Sequence, residues 1–184
     1  MAALPPNSSR IRNAFLETGR LHLERPTEGD GATLTGLWRN EQVQAFLGGA
    51  VSERAAGERF AEILAHWHEH GYGMCVVRRK SSGEPVGLCG LSRLGEEVEV
   101  AYKFWPRCWG SGYATEAATS CLGYGFRALH LERIVGITQE ANAGSQRVLE
   151  KIGMSYGRGV VMWGSPQRMY AVDRYEWKEA EASR

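Results

Sequence analysis

A short glycine-containing segment lies between two regular patterns of the sequence. Residues 107–114 read Arg-Cys-Trp-Gly-Ser-Gly-Tyr-Ala, after an alternating apolar run that ends near Phe104 and before a helical apolar pattern that begins near Thr115. Glycines let the backbone approach an anion, and the start of a helix directs unpaired N–H groups and the positive end of its dipole to the same point. The segment therefore predicts a phosphate site, although an ordinary strand-to-helix turn would use similar residues.

Two common nucleotide-binding motifs do not fit this segment. No Gly-Lys-Ser/Thr follows Gly112, so a magnesium–triphosphate loop is not expected. The segment also lacks the third glycine and the preceding β–α–β unit of a dinucleotide-binding fold. The expected ligand is a phosphate or pyrophosphate that needs no metal.

Two glutamates precede the segment on a predicted strand. Residues 97–104 alternate, which places Glu97, Glu99 and Ala101 on one face and Val98, Val100 and Tyr102 on the other. A carboxylate beside a ligand site could accept a proton from a reacting group, directly or through water. Glu99 is therefore the candidate general base, whereas both glutamates could instead form a solvated face of the strand.

The composition narrows the class of protein. The 184 residues suffice for one domain with a substantial core, and a formal net charge of +1 gives no electrostatic reason to expect nucleic acid binding. No apolar run approaches the roughly 18 residues that a membrane helix needs. These features predict a cytoplasmic enzyme or binding protein with neither a nucleic acid nor a membrane partner.

Cysteine and histidine spacing predicts no metal site. The four cysteines are Cys75, Cys89, Cys108 and Cys121. None of them forms a CxxC pair, so reduced thiols in a cytosolic protein are expected. His66 and His70 share one face of a predicted helix, but no third ligand is spaced to complete a metal site.

Apolar patterns predict the elements that would position these residues. The predicted strands are 20–25, 72–79, 86–94, 97–104, 134–138, 155–163 and 168–177. The predicted helices are a short one after Asp30, two long ones at about 53–70 and 115–129, and a short one that Asn142 opens. Since the strand at 134–138 follows a strand–loop–helix unit, it should pair parallel with the strand that ends at Phe104.

The ends of the chain are expected to be loosely attached. In an N-terminal arm of residues 1–18, Ile11, Phe15 and Leu16 could form one helical turn, while the first nine residues are as readily disordered. Residues 19–178 are expected to form a single domain, and the tail at 179–184 is expected to fray.

A second motif follows the glycine segment after about 30 residues and runs from Asn142 to Met154. Together with Arg107-x-x-Gly110-x-Gly112, it resembles the GCN5-related N-acetyltransferase (GNAT) family. Residues 102–117 are similar to the subgroup that contains the ribosomal-protein-alanine N-acetyltransferases. The resemblance covers about residues 18–178.

The resemblance implies a mixed α/β (α+β) fold. A twisted, mostly antiparallel sheet of about six or seven strands would have helices on both faces and a central parallel pair of strands that splays apart. It also implies acetyl-CoA as cosubstrate, an amine as acceptor and no metal. The protein would be a monomer or a homodimer.

The resemblance also assigns roles to residues of the two motifs. The pantetheine arm of acetyl-CoA would enter the splay, and Asn142 and Ser145 would contact this arm or the acetyl end. Arg107 would add a positive charge for the phosphates. The expected cofactor-binding residues are Phe104 and Trp105 through their backbone, Arg107, Trp109, Gly110, Ser111, Gly112, Tyr113, Ala114, Asn142 and Ser145.

The implied activity is direct transfer of an acetyl group to a primary amine, on a protein N terminus or a small molecule, in a ternary complex. Many members carry a tyrosine as general acid seven residues after the asparagine, where this chain has Leu149. Ser145, a bound water or direct release of the thiolate would take its place. The alternative function is a catalytically inactive CoA-binding sensor.

Overall fold

Strands and helices alternate along residues 14–177, the part of the chain that the computed structural model describes. The strands are β1 (Ala14–Glu17), β2 (Leu21–Glu24), β3 (Met74–Arg79), β4 (Pro85–Leu94), β5 (Glu97–Phe104), β6 (Arg133–Thr138), β7 (Ser155–Met162) and β8 (Ser165–Asp173). The helices are α1 (Gly31–Arg39), α2 (Glu41–Gln44), α3 (Glu53–His70), α4 (Tyr113–Arg127) and α5 (Ala143–Lys151). A further helical turn covers 174–177. Within this range every helix is too short or too polar to span a lipid bilayer.

The strands form one sheet in the order β1-β2-β3-β4-β5-β6-β8-β7. Its neighbouring strands are antiparallel except for β5 and β6, which run parallel. This arrangement confirms the mostly antiparallel sheet, the meander of β3, β4 and β5, and the parallel pair predicted from the sequence. The described residues contribute eight strands, one more than the upper number expected.

The additional strand is β1, where a helical turn was predicted, and that prediction is wrong for Phe15 and Leu16. β1 pairs antiparallel with β2, and the Phe15 ring packs edge-on against Trp67 and Tyr124 at centroid distances of 4.8 and 4.7 Å. These tertiary contacts outweigh the weak local preference of four residues. Ile11, the first nine residues and the tail at 179–184 lie outside the described residues.

The last predicted strand ends earlier than expected. β8 stops at Asp173, and the chain then turns so that the Trp177 ring lies 5.2 Å from that of Phe126 on α4. The Arg174 guanidinium donates to the Leu131 carbonyl oxygen at 2.8 Å and holds this turn against the body of the protein. The chain therefore leaves the sheet after Asp173, because the Trp177 side chain is buried against α4 instead of continuing the strand.

The two faces of the sheet are covered by different helices. On one, called the α4 face, α4 and α5 pack through Leu122 and Leu149 onto a core that includes Val98 and Val100. On the other, called the α3 face, α1 and α3 cover a core that includes Leu88. Helices on both faces were predicted, and the strict alternation of β5 assigns each of its side chains to one face.

The parallel pair opens into a wedge. β4 and β5 pair over eight positions, whereas β5 and β6 share only the pair Glu99–Val135. Beyond this pair, β5 continues to Phe104 and β6 continues to Thr138 without regular pairing between them. The backbone groups that face this gap are not used by the sheet and are available to a ligand.

Candidate active site

The glycine segment forms a loop that ends on the first turn of α4. Gly110 and Gly112 have φ angles of 73° and 78°, a left-handed conformation that glycine adopts without steric cost. Gly112 is the N-cap of α4, and no side chain of the described residues caps this end. The first N–H groups of α4 therefore remain free for an anion, as a pyrophosphate would require.

Arg20 on the β1–β2 turn braces this loop. Its Nη1 donates to the Ser111 carbonyl oxygen at 2.9 Å, its Nε donates to Glu116 at 2.7 Å, and its guanidinium lies 4.7 Å from the centre of the Tyr113 ring. Sequence reasoning missed this contact because 91 residues separate Arg20 from Ser111. The only hint in the sequence was that the family resemblance begins at about residue 18 and therefore includes Arg20.

Arg107 lies beside the loop but already has a partner. Its Nη2 donates to Glu84 at 2.8 Å, and its guanidinium lies 5.4 Å from the Trp105 ring centre. The ion pair neutralises much of the charge expected for the phosphates. Arg20 is therefore the better placed of these two cations for organising the loop.

The backbone groups of Trp105 are engaged inside the protein. Its N–H donates to Val86 at 3.1 Å, and its carbonyl oxygen accepts from Cys108 at 2.8 Å in a 3₁₀ turn. The Phe104 carbonyl oxygen accepts from the Trp109 indole at 2.8 Å. Of the backbone groups expected to bind pantetheine, the structure therefore leaves free only the N–H of Phe104.

Alternation along β5 identifies further free groups. Because the Trp105 N–H is directed to β4, the backbone groups of residues an odd number of positions away are directed to β6. Tyr102 and Phe104 therefore present backbone groups to the wedge. Trp105 does not, because the same alternation directs its N–H to β4 and its carbonyl oxygen accepts from Cys108.

Glu99 lies at the single point where β5 meets β6, on the α3 face. Burial raises the pKa of its carboxyl group to about 7, while the nearby Lys103 ammonium and a backbone hydrogen bond from Ile137 lower it. A carboxyl group with this pKa is partly ionised at neutral pH and can both accept and release a proton. The structure thus places the predicted general base where the wedge begins.

Glu97 has a different environment. It lies 4.0 Å from Arg133, and both side chains are close to half exposed. Glu97 matches the solvated strand face that the sequence left open as an alternative for both glutamates.

Beside Glu97 lies a depression of about 400 Å³, lined by Glu97, Arg133, Gly157, Arg158, Met169 and Ala171. Ala171 pairs with Val135, the partner of Glu99, so the depression lies on β8, two strands away from Glu99.

Tyr102 and Ser145 meet on the α4 face of the wedge. The Tyr102 hydroxyl lies 3.0 Å from both the carbonyl oxygen and the hydroxyl of Ser145, which is in the first turn of α5. Asn142 caps this helix by accepting the Ser145 N–H at 3.0 Å, as predicted. Sequence reasoning placed Tyr102 on the correct face of β5 but could not show that α5 lies opposite.

Leu149 cannot replace the missing acid. Its side chain is buried in the core, and a Cβ built at Gly136 would lie only 2.6 Å from it. Tyr102 is therefore the tyrosine hydroxyl that the described structure brings to the wedge. Burial raises its pKa, so the hydroxyl stays protonated throughout the neutral range.

Comparison with known sequences identifies related proteins. A sequence model of the acetyltransferase (GNAT) domain matches residues 20–155. The chain is 34% identical over 170 residues to the uncharacterized protein YkkB of Bacillus subtilis, covering 87% of this chain and 96% of YkkB. It is 32% identical over 145 residues to the uncharacterized N-acetyltransferase p20 of Bacillus licheniformis, covering 74% of this chain and 80% of p20.

Solved structures share the fold. An acetyltransferase from Agrobacterium tumefaciens superposes with a TM-score of 0.78 at 24% identity, over 85% of this chain and 92% of that chain. The ribosomal-protein-S5-alanine acetyltransferase of Vibrio fischeri and the spermidine N-acetyltransferase of Vibrio cholerae each give 0.72 at 18% identity, over 88% of this chain and 97% and 99% of theirs. At these identities the structures show the fold alone.

Proposed function

The chain belongs to the GNAT acetyltransferase family and is an acyltransferase, and we propose on this basis that it transfers an acetyl group from acetyl-CoA to a primary amine. The transfer is direct and occurs in a ternary complex. The acceptor is an amine of a small molecule or of a protein N terminus. The observation that carries the proposal is the position of Glu99, a half-buried carboxyl group with a raised pKa at the point where the wedge opens.

The loop and the wedge fit acetyl-CoA on the α4 face. The uncapped N–H groups of Tyr113 and Ala114 and the open backbone at Gly110 and Gly112 suit a pyrophosphate, and Arg20 holds the loop in place. Free backbone groups of Tyr102 and Phe104 suit the amide groups of a pantetheine arm. When bound, acetyl-CoA supplies an activated acetyl thioester.

Glu99 and Tyr102 act on opposite faces of β5. Glu99, on the α3 face, accepts the proton that the amine loses when it forms the new bond. Tyr102 and Ser145, on the α4 face, direct hydroxyl groups toward the place expected for the departing sulfur. Because the Tyr102 pKa is raised, its hydroxyl keeps its proton, which it donates to the Ser145 carbonyl oxygen at 3.0 Å and can turn toward negative charge that develops on the sulfur.

Calorimetric titration with acetyl-CoA, followed by a thiol-release assay on a panel of amines, tests this function. Glu99→Gln should retain acetyl-CoA binding and lose turnover, while Glu97→Gln serves as the matched control on the same strand face. Wild-type turnover in the Glu99→Gln variant would remove this residue from the mechanism. Binding of acetyl-CoA without turnover of any amine would instead support the sensor that the missing tyrosine at Leu149 suggested.

A further inference from the structure

Two cationic side chains lie together on the α3 face, next to Glu99. Lys103 shares this face of β5 with Glu99, and Leu88 is its partner in the antiparallel pairing with β4. Leu88 belongs to the same cluster of buried side chains as Ala56 and Phe60 of α3. Arg59, between these two helix residues, is therefore carried over the same part of the sheet, and it is close enough to Lys103 for the two charges to interact.

Neither cation has an ion-pair partner among the residues that the structure describes. Within residues 14–177, no carboxylate is close enough to form an ion pair with Lys103 or Arg59, and neither side chain donates a hydrogen bond. By contrast, Arg78 on the same face is paired with both Glu24 and Asp30. Two like charges held together in a half-buried place destabilise each other unless an anion joins them.

The lowered pKa of Lys103 agrees with a position next to a second cation. Burial lowers the pKa of its ammonium group, Glu99 raises it and Arg59 lowers it. An anion placed between the two cations would offset both unfavourable effects. Glu99 has the larger of these two charge effects on Lys103, but the two side chains form no ion pair within residues 14–177, so an anion between Lys103 and Arg59 would still supply a direct partner.

We propose that Lys103 and Arg59 form an anion subsite for the acceptor, so that the preferred substrate is an amine that also carries a carboxylate. This inference rests on the proposed function, because it assumes that the acceptor approaches Glu99 from the α3 face. The amine lies at Glu99 and the carboxylate lies at the two cations. A polyamine is disfavoured, since its second cation would meet Lys103.

Matched pairs of acceptors test the subsite. Turnover of α-amino acids and of ω-amino carboxylates of increasing length is compared with turnover of their carboxamides, which differ only in charge, and with turnover of spermidine. The wild-type protein should prefer the carboxylate by about tenfold or more in kcat/KM, the size expected for a charge-assisted contact. A preference for the carboxamide or for spermidine would overturn the proposal.

Charge-removing variants connect this preference to the two residues. Lys103→Met and Arg59→Gln should reduce the carboxylate preference to near unity, and Lys103→Arg should restore it. Lys151→Met, on an exposed part of α5, and Arg54→Gln, on α3, are the matched controls and should keep the wild-type ratio. Loss of acetyl-CoA affinity in Lys103→Met without a change in the ratio would assign the cation to the cofactor and overturn the proposal.

Two further experiments complete the test. One distinguishes a protein carboxylate from that of a free amino acid, and the other distinguishes failure of the subsite from failure of the proposed transfer. Peptides with Glu or Gln at the second position distinguish an acidic protein N terminus from a free amino acid. If no amine is acetylated, the proposed transfer fails, and the subsite is then decided by calorimetric titration of 4-aminobutanoate into the CoA-loaded protein. If 4-aminobutanoate binds the wild-type protein and Lys103→Met abolishes this binding, the subsite is supported. If 4-aminobutanoate does not bind the wild-type protein, the subsite is refuted.

Discussion

The Tyr102 hydroxyl lies 3.0 Å from the hydroxyl of Ser145 and joins β5, on one side of the wedge, to α5 on the other. In sequence the two residues are 43 positions apart. The contact places a protonated hydroxyl on the side of the wedge opposite to Glu99. It thereby brings a tyrosine hydroxyl, whose proton goes to the Ser145 carbonyl oxygen, beside the wedge of a protein that has leucine at the position of the usual tyrosine acid.

Replacement of this hydroxyl should slow catalysis more than it weakens binding. We expect Tyr102→Phe to lower kcat by about 10- to 100-fold, because one donor to developing negative charge is lost, while the Kd for acetyl-CoA stays near that of the wild type. Stopped-time thiol assays and calorimetry measure the two quantities. Tyr156→Phe, on the exposed strand β7, is the control. Unchanged kcat in Tyr102→Phe would show that the contact is structural only.

Activity should depend on pH through Glu99. Since burial raises its pKa to about 7, the ionised base becomes available as the pH rises through 7, and kcat/KM should increase tenfold per pH unit below this value and level off above it. In Glu99→Gln this dependence should disappear, and the rate should fall by about 10²- to 10⁴-fold. A wild-type profile that is flat between pH 5.5 and about 8 would contradict the assignment.

The same pKa has a consequence for stability. In the folded protein Glu99 binds its proton more tightly than in the unfolded chain, where the ordinary value of 4.5 applies. Its contribution to the free energy of unfolding should therefore decrease as the pH rises from about 4.5 to 7 and remain constant above that. Urea unfolding of the wild type and Glu99→Gln at several pH values isolates this contribution, since the difference between them should narrow toward acid pH.

Arg20 should matter for cofactor affinity. We expect Arg20→Met to weaken acetyl-CoA binding by about tenfold, because the loop loses the contact with Ser111 that holds its shape. The melting temperature should change little, since the ion pair with Glu116 is exposed on the arginine side. Arg54→Met, in an exposed ion pair on α3, is the control. If Arg20→Met and Arg54→Met bind acetyl-CoA with equal affinity, the loop holds its shape without Arg20.

Two glycines should respond in opposite ways to alanine. A Cβ at Gly90 in β4 would collide with the backbone of Gly73 and Met74, so Gly90→Ala should lower the free energy of unfolding by about 3 kcal/mol. Gly57 lies inside α3 with open space around it, and Gly57→Ala should raise the free energy of unfolding by about 0.5–1 kcal/mol. Chemical denaturation measures both; a neutral Gly90→Ala would contradict the close approach of β3 and β4.

Long periodic segments were predictable because their patterns are local. The eight-residue alternation of β5 and the apolar spacing of α3 gave the observed limits of both elements. β1 was not predictable: it has only four residues, and its strand conformation depends on pairing with β2 and on the contact of Phe15 with Trp67. The early end of β8 depends in the same way on the packing of Trp177.

The sequence by itself determined the order of the elements, the glycine loop, its place before α4 and the resemblance that links it to acetyl-CoA. Only the tertiary structure decided which side chains lie together: Arg20 at the loop, Tyr102 against Ser145, and Lys103 with Glu99 on the α3 face under α3. The reason is physical. Backbone conformation follows local periodicity, whereas the pKa and the partners of a side chain depend on atoms that distant segments bring to it.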